Sequence, residues 1–307
     1  MMDPADEIGG LAASAEQAAI GGGLPPRRSR MRSAWRGLRK APLTAWFGLI
    51  VIVFYLLIAV FANWVAPFGQ SEVVGNQYDP WGAPYIFGTD QLGRDMLSRL
   101  IYGARNTIGI AVLTTALSFL IGGMLGMAAA ILGGWIDQLL SRLVDILMAI
   151  PQLIFALVLL SMFGSSIPNL IMIIAVLDST RVFRLSRAVA LNVAALDFVE
   201  AARLQGEKLG WIMTREVLPN IAPPLVAEFG LRFCFVFLTI AALSFLGLGI
   251  QPPAADWGSL VRENIGALAD GGASVIAPAL AIASLTIAVN LVIDNLPGRA
   301  ARERGAR

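Results

Sequence analysis

The chain has 307 residues, of which 57% are hydrophobic and only 14% are charged, with a formal net charge of +2, no histidine and a single cysteine, Cys234. A soluble domain carries about 25% charged residues, and here the apolar residues form long blocks without Asp, Glu, Lys or Arg, so a soluble core is excluded and an integral membrane protein is predicted. One cysteine excludes an intrachain disulfide or thiolate metal cluster, the absence of histidine removes the commonest general base, and so small a net charge gives no sign of a nucleic-acid partner.

The first 40 residues are predicted to form a cytoplasmic tail that is mostly disordered. Residues 1–26 are rich in Ala and Gly, end in Pro25-Pro26, and lack the apolar core and basic start of a signal peptide. A basic cluster then precedes the first apolar block: Arg27, Arg28, Arg30, Arg32, Arg36, Arg39 and Lys40. Because basic residues concentrate on the cytoplasmic side of a membrane, this cluster places the N-terminus in the cytoplasm.

Six membrane spans are predicted from the apolar blocks, since each is long enough to cross about 30 Å of hydrocarbon at about 1.5 Å per helical residue. They are Ala41–Ala66, Asn106–Ile136, Ile146–Phe163, Ile167 to about Phe183, Phe233–Ala255 and Ala273–Ile293. The third and fourth come from one long block, which the turn-forming run Gly164–Asn169 divides. The fourth carries Asp178 and Arg181, so hydropathy alone could miss it.

An even number of spans puts both termini on one side of the membrane. The basic residues after the last span, in the predicted cytoplasmic tail 298–307, agree with this side, and so do those between Arg184 and Arg215. Most of the 23 basic residues then lie in the cytoplasm, as the positive-inside rule requires. Five spans would separate the two basic ends, which disfavours that alternative.

The segment 67–105 is predicted to lie outside the cytoplasm. It begins irregularly, and Thr89 or Asp90 could then cap a helix. Apolar residues recur at helical spacing after this point: Met96, Leu97, Leu100 and Ile101. The pattern predicts an amphipathic helix near the membrane surface that leads into the second span. Packing on its own subunit and docking of a partner both remain open.

A second outer segment runs from Leu248 to Ser259. Pro252 and Pro253 exclude a regular helix there, and Trp257 is expected at the membrane–water interface. The two outer segments together could form a platform for an external partner.

A charged segment between the fourth and fifth spans is predicted to form two short helices at an angle. Asp197 is expected to cap the first, and Glu200 lies in its first turn. Ala201 and Ala202 favour a helix and let another surface approach closely. Gly206 and Gly210 permit a change of direction.

The second short helix is expected to carry an apolar stripe, formed by Leu209, Ile212 and Met213. Pro219 suits the start of the following span, where no N–H is needed. Small residues on one helix and an apolar stripe on the other make a shape that a partner protein can hold. An ordinary cytoplasmic loop is the alternative.

The order Glu200-Ala201-Ala202, Gly206 and Leu218-Pro219 resembles the EAA loop of ABC-importer permeases. Three further motifs are similar to the C-type permeases of dipeptide and oligopeptide uptake systems: GTDQLGRD followed by SRLIYGAR within residues 88–105, LGLG with QPP and DWG within 246–258, and Asn290-Leu291 with Asp294. These matches occur in the expected order and cover about residues 40 to 297. Glu216 departs from the pattern, because the family usually has histidine there.

The resemblance implies an all-α membrane protein of the type I ABC-importer (MetI-like) permease fold in a bacterial inner membrane, with a permease core at residues 106–297. It also implies partners: a homologous B-type permease, one or two ABC ATPase subunits, an extracytoplasmic solute-binding protein and membrane lipid. ATP and Mg would bind the ATPases, with no cofactor on this chain. The sequence contains no phosphate-binding loop of the G-x-x-x-x-G-K-[ST] form, so we expect no ATP hydrolysis by this chain.

By the same resemblance, the segment 197–219 would couple the permease to an ATPase. The expected coupling residues are Glu200, Ala201, Ala202, Gly206, Leu209, Glu216, Leu218 and Pro219. The solute would be a di- or oligopeptide, although related systems carry other solutes, and no residue is assigned to substrate binding. Charged residues in or beside the spans either line the pathway or pair structurally: Asp178, Glu228, Arg232 and Asp294.

Two other classes of protein are weighed against this interpretation. A secondary transporter needs a central ion or proton site, which the missing histidine and the few acids in spans disfavour. An intramembrane enzyme needs a nucleophile with a base, or a metal site, and the sequence offers neither constellation.

Overall fold

The computed structural model describes residues 42–82, 84–270 and 273–295, and the regular elements in these ranges are helices. The predicted tails, 1–40 and 298–307, lie outside the described residues. The helices are α1 (Leu43–Val60), α2 (Ala62–Val65), α3 (Met96–Leu132), α4 (Gly134–Ala149), α5 (Gln152–Phe163), α6 (Ile167–Ala194), α7 (Asp197–Leu204), α8 (Leu209–Trp211), α9 (Leu218–Phe245), α10 (Trp257–Glu263) and α11 (Ala273–Asp294). A π-helical turn covers Ile212–Val217, and a 3₁₀ segment covers Ile265–Asp270.

By length and composition, four helical stretches of the described chain can cross a membrane: Leu43–Val60, Met96–Leu132, Leu209–Phe245 and Ser274–Asp294. A fifth candidate is the pair α4 and α5, which meet at an angle of 88°. Helix α6 is also long enough, with 28 residues, but Asp178 and three arginines lower its hydropathy. The all-helical membrane architecture is thus confirmed, while the sixth span remains a prediction.

Helix α3 includes the helix predicted in the outer segment. It runs without a break for 37 residues from Met96, so the helix that was expected to lead into the second span is the first part of a single long helix. Its cap is Asp95, whose carboxylate accepts a hydrogen bond from the Ser98 N–H at 2.8 Å. The predicted caps, Thr89 and Asp90, were therefore wrong. No proline interrupts the chain between Met96 and Asn106, so the backbone continues in helical form.

Two other predicted spans have different bounds in the structure. The block Ile146–Phe163 is not a straight helix, because Pro151 lacks an N–H and the residue before it is extended. The block Phe233–Ala255 was misplaced at both ends: α9 begins at Leu218 and ends at Phe245. Gly247, with φ of +90°, then turns the chain away from the helix axis.

The closest helix packing joins α3 to α6 through two glycines. A Cβ atom on Gly122 would lie 2.3 Å from the Ser179 carbonyl oxygen, and one on Gly126 would lie 2.6 Å from that of Phe183. The spacing is the small-residue pattern that brings membrane helices into contact. Apolar side chains form two clusters, one around Trp257 and Phe237 and one beneath residues 197–219.

Candidate functional site

Residues 197–219, called here the coupling segment, lie between α6 and α9 at one end of the helix bundle. Its first helix, α7, carries Asp197 and Glu200 in the first turn, where carboxylates favour the positive end of the helix dipole. The predicted cap was wrong, because Leu196 occupies the N-cap position and makes no side-chain capping bond. Asp197 is instead the first helical residue.

Gly206 ends α7 in a left-handed conformation, with φ of +79°. The Gly206 N–H donates to the Arg203 carbonyl at 3.0 Å, and the Glu207 N–H donates to the Ala202 carbonyl at 3.1 Å. These two bonds form the Schellman arrangement that ends many helices. Nothing lies within 4 Å of a Cβ built on Gly206, so the backbone conformation, and not crowding, calls for glycine.

The second half of the coupling segment is continuous with a membrane-spanning helix. The predicted separate short helix was wrong: the helical stretch runs from Leu209 through α8, the π turn and α9 to Phe245. In the π turn, the Leu218 N–H reaches back to the Met213 carbonyl. Pro219 then falls in the first turn of α9, where its missing N–H is tolerated. A displacement of the coupling segment would therefore act on the first turns of α9, before Pro223 and Pro224.

The apolar stripe of the coupling segment faces its own subunit. Ile212, Met213 and Val217 are buried, and so are Val199 and Ala202 on α7. They pack in a cluster with residues of α3 and α6, namely Met127, Ala130, Ile131 and Ala190. Leu209 is partly buried against the same cluster. The stripe therefore anchors the segment, contrary to the expectation that a partner would hold it.

The opposite face of the coupling segment is open. Glu200, Ala201, Gly206 and Pro219 are exposed, and Glu216 is half-buried. Large apolar side chains also lie at this surface: Leu204 is 83% exposed, and Leu196, Phe198, Trp211 and Leu218 are exposed as well. Exposed apolar side chains grouped in this way are typical of a surface that contacts a protein or a membrane.

Two arginine contacts hold this end of the bundle together. Arg203 donates from Nη2 to the carbonyl of Ile131, near the C-terminus of α3, where the helix dipole favours a cation. Arg187 of α6 pairs with Asp137 of α4, with 2.5 Å between Nη2 and Oδ2. Sequence reasoning missed both pairs, because the partners are far apart in the chain and belong to no motif.

The far end of the bundle carries a second structured region, which we call the distal cap and define as the described parts of residues 67–99 and 246–270. Its interior holds two buried arginines and two buried carboxylates. Asp90 pairs with Arg94 at 2.7 Å and Arg99 at 2.5 Å, while Glu263 lies 3.3 Å and 3.2 Å from the same two arginines. Burial raises the pKa of the Glu263 carboxyl, and the neighbouring Arg94 opposes this shift.

Trp257 lies in the interior of the distal cap, and its place at the membrane–water interface stays a prediction. It is fully buried, and its Nε1 donates to the Leu100 carbonyl at 2.9 Å. A Cβ on Gly103 would lie 2.7 Å from its ring. The preceding residue, Asp256, accepts from the Thr107 hydroxyl at 2.9 Å, and burial raises the pKa of its carboxyl. The two predicted outer segments therefore contact each other at the start of α3.

Four charged residues, called here the mid-span cluster, lie within α6 and α9: Asp178, Arg181, Glu228 and Arg232. The Arg232 Nε donates to Glu228 at 2.7 Å, which is the pairing that their spacing of four suggested. Asp178 accepts from the Ser118 hydroxyl at 3.1 Å and lies 3.8 Å from Arg232 and 3.9 Å from Arg181. Asp294 is the last residue of α11.

Comparison with protein families gives two matches. Residues 122–302 match the model described as "Binding-protein-dependent transport system inner membrane component". Residues 29–85 match the "N-terminal TM domain of oligopeptide transport permease C".

Curated relatives cover most of the chain. The "Dipeptide transport system permease protein DppC" of Alkalihalophilus pseudofirmus is 33% identical, over 87% of this chain and 88% of the relative. The protein of the same name from Haemophilus influenzae is 34% identical, over 82% and 88%. The "Glutathione transport system permease protein GsiD" of Pectobacterium atrosepticum is 31% identical, over 88% and 90%.

Proposed function

Because the chain belongs to the family of binding-protein-dependent transport system inner membrane components, we propose that it forms half of the pathway through which di- or oligopeptides are imported. It is a multi-pass permease subunit of a bacterial ABC importer, without catalytic activity of its own. The peptide cargo is inferred from the names of its relatives, which transport dipeptides or glutathione. Substrate choice would lie chiefly with an extracytoplasmic solute-binding protein.

The topology that we propose has six spans and both termini in the cytoplasm. It counts α1, α3, the bent pair α4 and α5, α6, the continuous helix ending in α9, and α11. The coupling segment then lies in the cytoplasm and the distal cap outside it. The distribution of basic residues supports this direction.

The proposed partners are a homologous B-type permease, one or two ABC ATPases that bind ATP and Mg, and the solute-binding protein. The open face of the coupling segment, with Glu200, Ala201, Gly206, Leu218 and Pro219, would contact an ATPase. Ala202 and Leu209 would act from beneath this face by holding it on the subunit core. Glu216 lies between the two surfaces, where its charge would adapt the site to a particular ATPase.

The observation that carries the proposal is the unbroken helix from Leu209 to Phe245. ATP binding would draw the ATPases together and move the coupling segment with them. The buried stripe prevents the segment from sliding over the bundle, so the motion would tilt α9 and open the pathway outward. Hydrolysis would reverse the motion, and the two sites would be coupled by rigid-body movement.

Replacement of Gly206 by valine tests this coupling. A β-branched residue at positive φ is strained, so the end of α7 would be rebuilt and its contact with the ATPase lost. We expect ATP-dependent peptide uptake by membrane vesicles containing the whole complex to fall by about tenfold or more, which corresponds to a rise of about 1.4 kcal/mol or more in the barrier. The amount of permease in the membrane should remain normal.

Gly164→Val is the matched control. Gly164 has φ of +86°, and nothing lies within 4 Å of its Cβ position, so valine also introduces backbone strain, here at the other end of the bundle. Uptake by this variant should stay close to that of the unmodified protein. Equal loss of uptake in both variants would show that strain alone, and not coupling, explains the effect.

A further inference from the structure

The mid-span cluster lies deep in the membrane. Asp178 and Arg181 are near the middle of the 28-residue α6, and Arg232 is near the middle of the 28-residue α9. At about 1.5 Å per residue, such positions fall well inside a hydrocarbon layer of about 30 Å. Charges at this depth are costly in lipid and face either a bundle interior or a wet passage.

Asp178 holds the two arginines together without using up their hydrogen-bond donors. Its Oδ2 accepts from Ser118. Both guanidinium groups approach its Oδ1, at 3.8 Å for Arg232 and 3.9 Å for Arg181. Yet this buried oxygen has no hydrogen-bond partner among the described residues. The geometry gives charge balance at a distance that is too long for a hydrogen bond.

Donors on both arginines remain directed elsewhere. Arg181 donates from Nη1 to Gln152 at 2.5 Å, and Arg232 donates from Nε to Glu228 at 2.7 Å. A guanidinium group has five N–H donors in a planar fork that matches the two oxygens of a carboxylate. The pair therefore has the capacity to take up one further carboxylate.

The exposure of the cluster is graded from the interior outward. The side chain of Asp178 is 1% exposed, that of Arg232 is 15% exposed and that of Arg181 is 41% exposed. A cavity of about 110 Å³ beside Arg181 is lined by Gln152 and Thr180, at the bend between α4 and α5. An arginine this open at mid-membrane depth favours a polar passage beside it, because lipid would not solvate its charge.

We propose that Arg181 and Arg232, positioned by Asp178, form a transit site for the carboxylate of the transported solute. The inference rests on the proposed function, in which the solute is a peptide with a free C-terminal carboxylate. The cluster contains two positive and two negative groups, so it would recognise a carboxylate by geometry and release it readily. Weak, reversible binding of this kind suits a passage site.

The test compares a dipeptide with its C-terminal amide in liposomes that contain the complete transporter and its solute-binding protein. The ratio of the uptake rates for acid and amide is divided by the ratio of their affinities for the isolated binding protein. The quotient isolates discrimination by the membrane passage. We expect a quotient of about ten for the unmodified complex, and a fall to about one for Arg181→Gln, since a site built to bind a group rejects analogues that lack it.

Arg181→Lys should retain part of the discrimination, because it keeps the charge but loses the fork. Arg142→Gln is the control, because Arg142 is exposed on α4 and lies outside the cluster. The quotient measured for this variant should equal that of the unmodified complex. The transit site is refuted if Arg181→Gln slows acid and amide equally, or still excludes the amide as the unmodified complex does. If the unmodified complex imports neither peptide in the presence of ATP, the proposed function in peptide import is wrong, and the transit site that rests on it is wrong as well.

Discussion

Arg99 has a fully buried side chain in the distal cap, between Asp90 and Glu263. This burial makes the ion pairs important for stability, because a buried ion that loses its partner cannot be solvated by water. Removing one member of a buried ion pair typically costs about 3–5 kcal/mol. Here one arginine faces two carboxylates from segments that are remote in the chain, so it joins the two halves of the distal cap.

Replacement of Arg99 by methionine should therefore destabilise the protein by about 3–5 kcal/mol, because it leaves carboxylates buried with Arg94 alone. The thermal unfolding of the purified protein in detergent, followed by tryptophan fluorescence, measures the change. The buried Trp257 lies in the same cap and reports its opening.

Arg105→Met is the matched control for that experiment. Arg105 is exposed and donates one hydrogen bond, to Asn63 at 3.1 Å, so its loss should change stability by about 1 kcal/mol or less. If the two variants unfold at the same temperature, the buried network does not hold the cap together.

At the scale of helices, the contact between α3 and α6 depends on backbone proximity. Gly122→Ala would place a methyl group 2.3 Å from the Ser179 carbonyl, and rigid backbone cannot yield as a flexible side chain would. We expect α3 and α6 to separate, with a loss of about 1–3 kcal/mol as for other overpacked sites. The unfolding temperature in detergent and the uptake rate should both fall.

Gly123 provides the control one residue further along the same helix. Nothing lies within 4 Å of its Cβ position, so Gly123→Ala should be neutral or slightly stabilising, because alanine favours helices over glycine. Equal destabilisation by both variants would mean that glycine serves α3 by flexibility and not by close packing.

The sequence predicted where most helices lie, but several of their ends required the structure. Long uncharged blocks located α1, α3, α9 and α11, since a helix that crosses the hydrocarbon layer must be predominantly apolar. Hydropathy has no bearing on capping, so it could not identify Asp95 as the start of α3. It also extended the fifth span through Gly247, where the backbone already turns.

The coupling segment was also predictable only in part, because the sequence reveals local backbone preferences but not the neighbours of a surface. Gly206 was recognised as a turn residue because its conformational freedom is local, and the structure gives it positive φ. The direction of the apolar stripe was not predictable, because periodicity reveals a face and not its neighbour. Contacts such as Arg203 with Ile131 join residues far apart in sequence, and one sequence carries no signal for them.

At the scale of the whole molecule, the topology depends on whether α6 crosses the membrane. If α6 crosses the membrane, the coupling segment and the N-terminus share one side. If it does not, the coupling segment lies on the same side as residues 67–95, and the ATPases cannot reach it. The mid-span cluster depends on the same helix, because Asp178 and Arg181 lie at mid-membrane depth only if α6 spans.

Single cysteines introduced into a Cys234→Ala background distinguish these topologies. Leu204 is 83% exposed at the coupling segment, and Ile86 is 63% exposed on the distal cap, so a cysteine at either position would be reached by reagent. In spheroplasts, a membrane-impermeant maleimide should label Ile86→Cys at once and Leu204→Cys only after the membrane is permeabilised. Ser165→Cys, in the turn between α5 and α6, should react like Ile86→Cys. Labelling of Leu204→Cys in intact spheroplasts would show that α6 does not cross the membrane. The six-span arrangement, the cytoplasmic coupling surface and the transit site would then all be wrong.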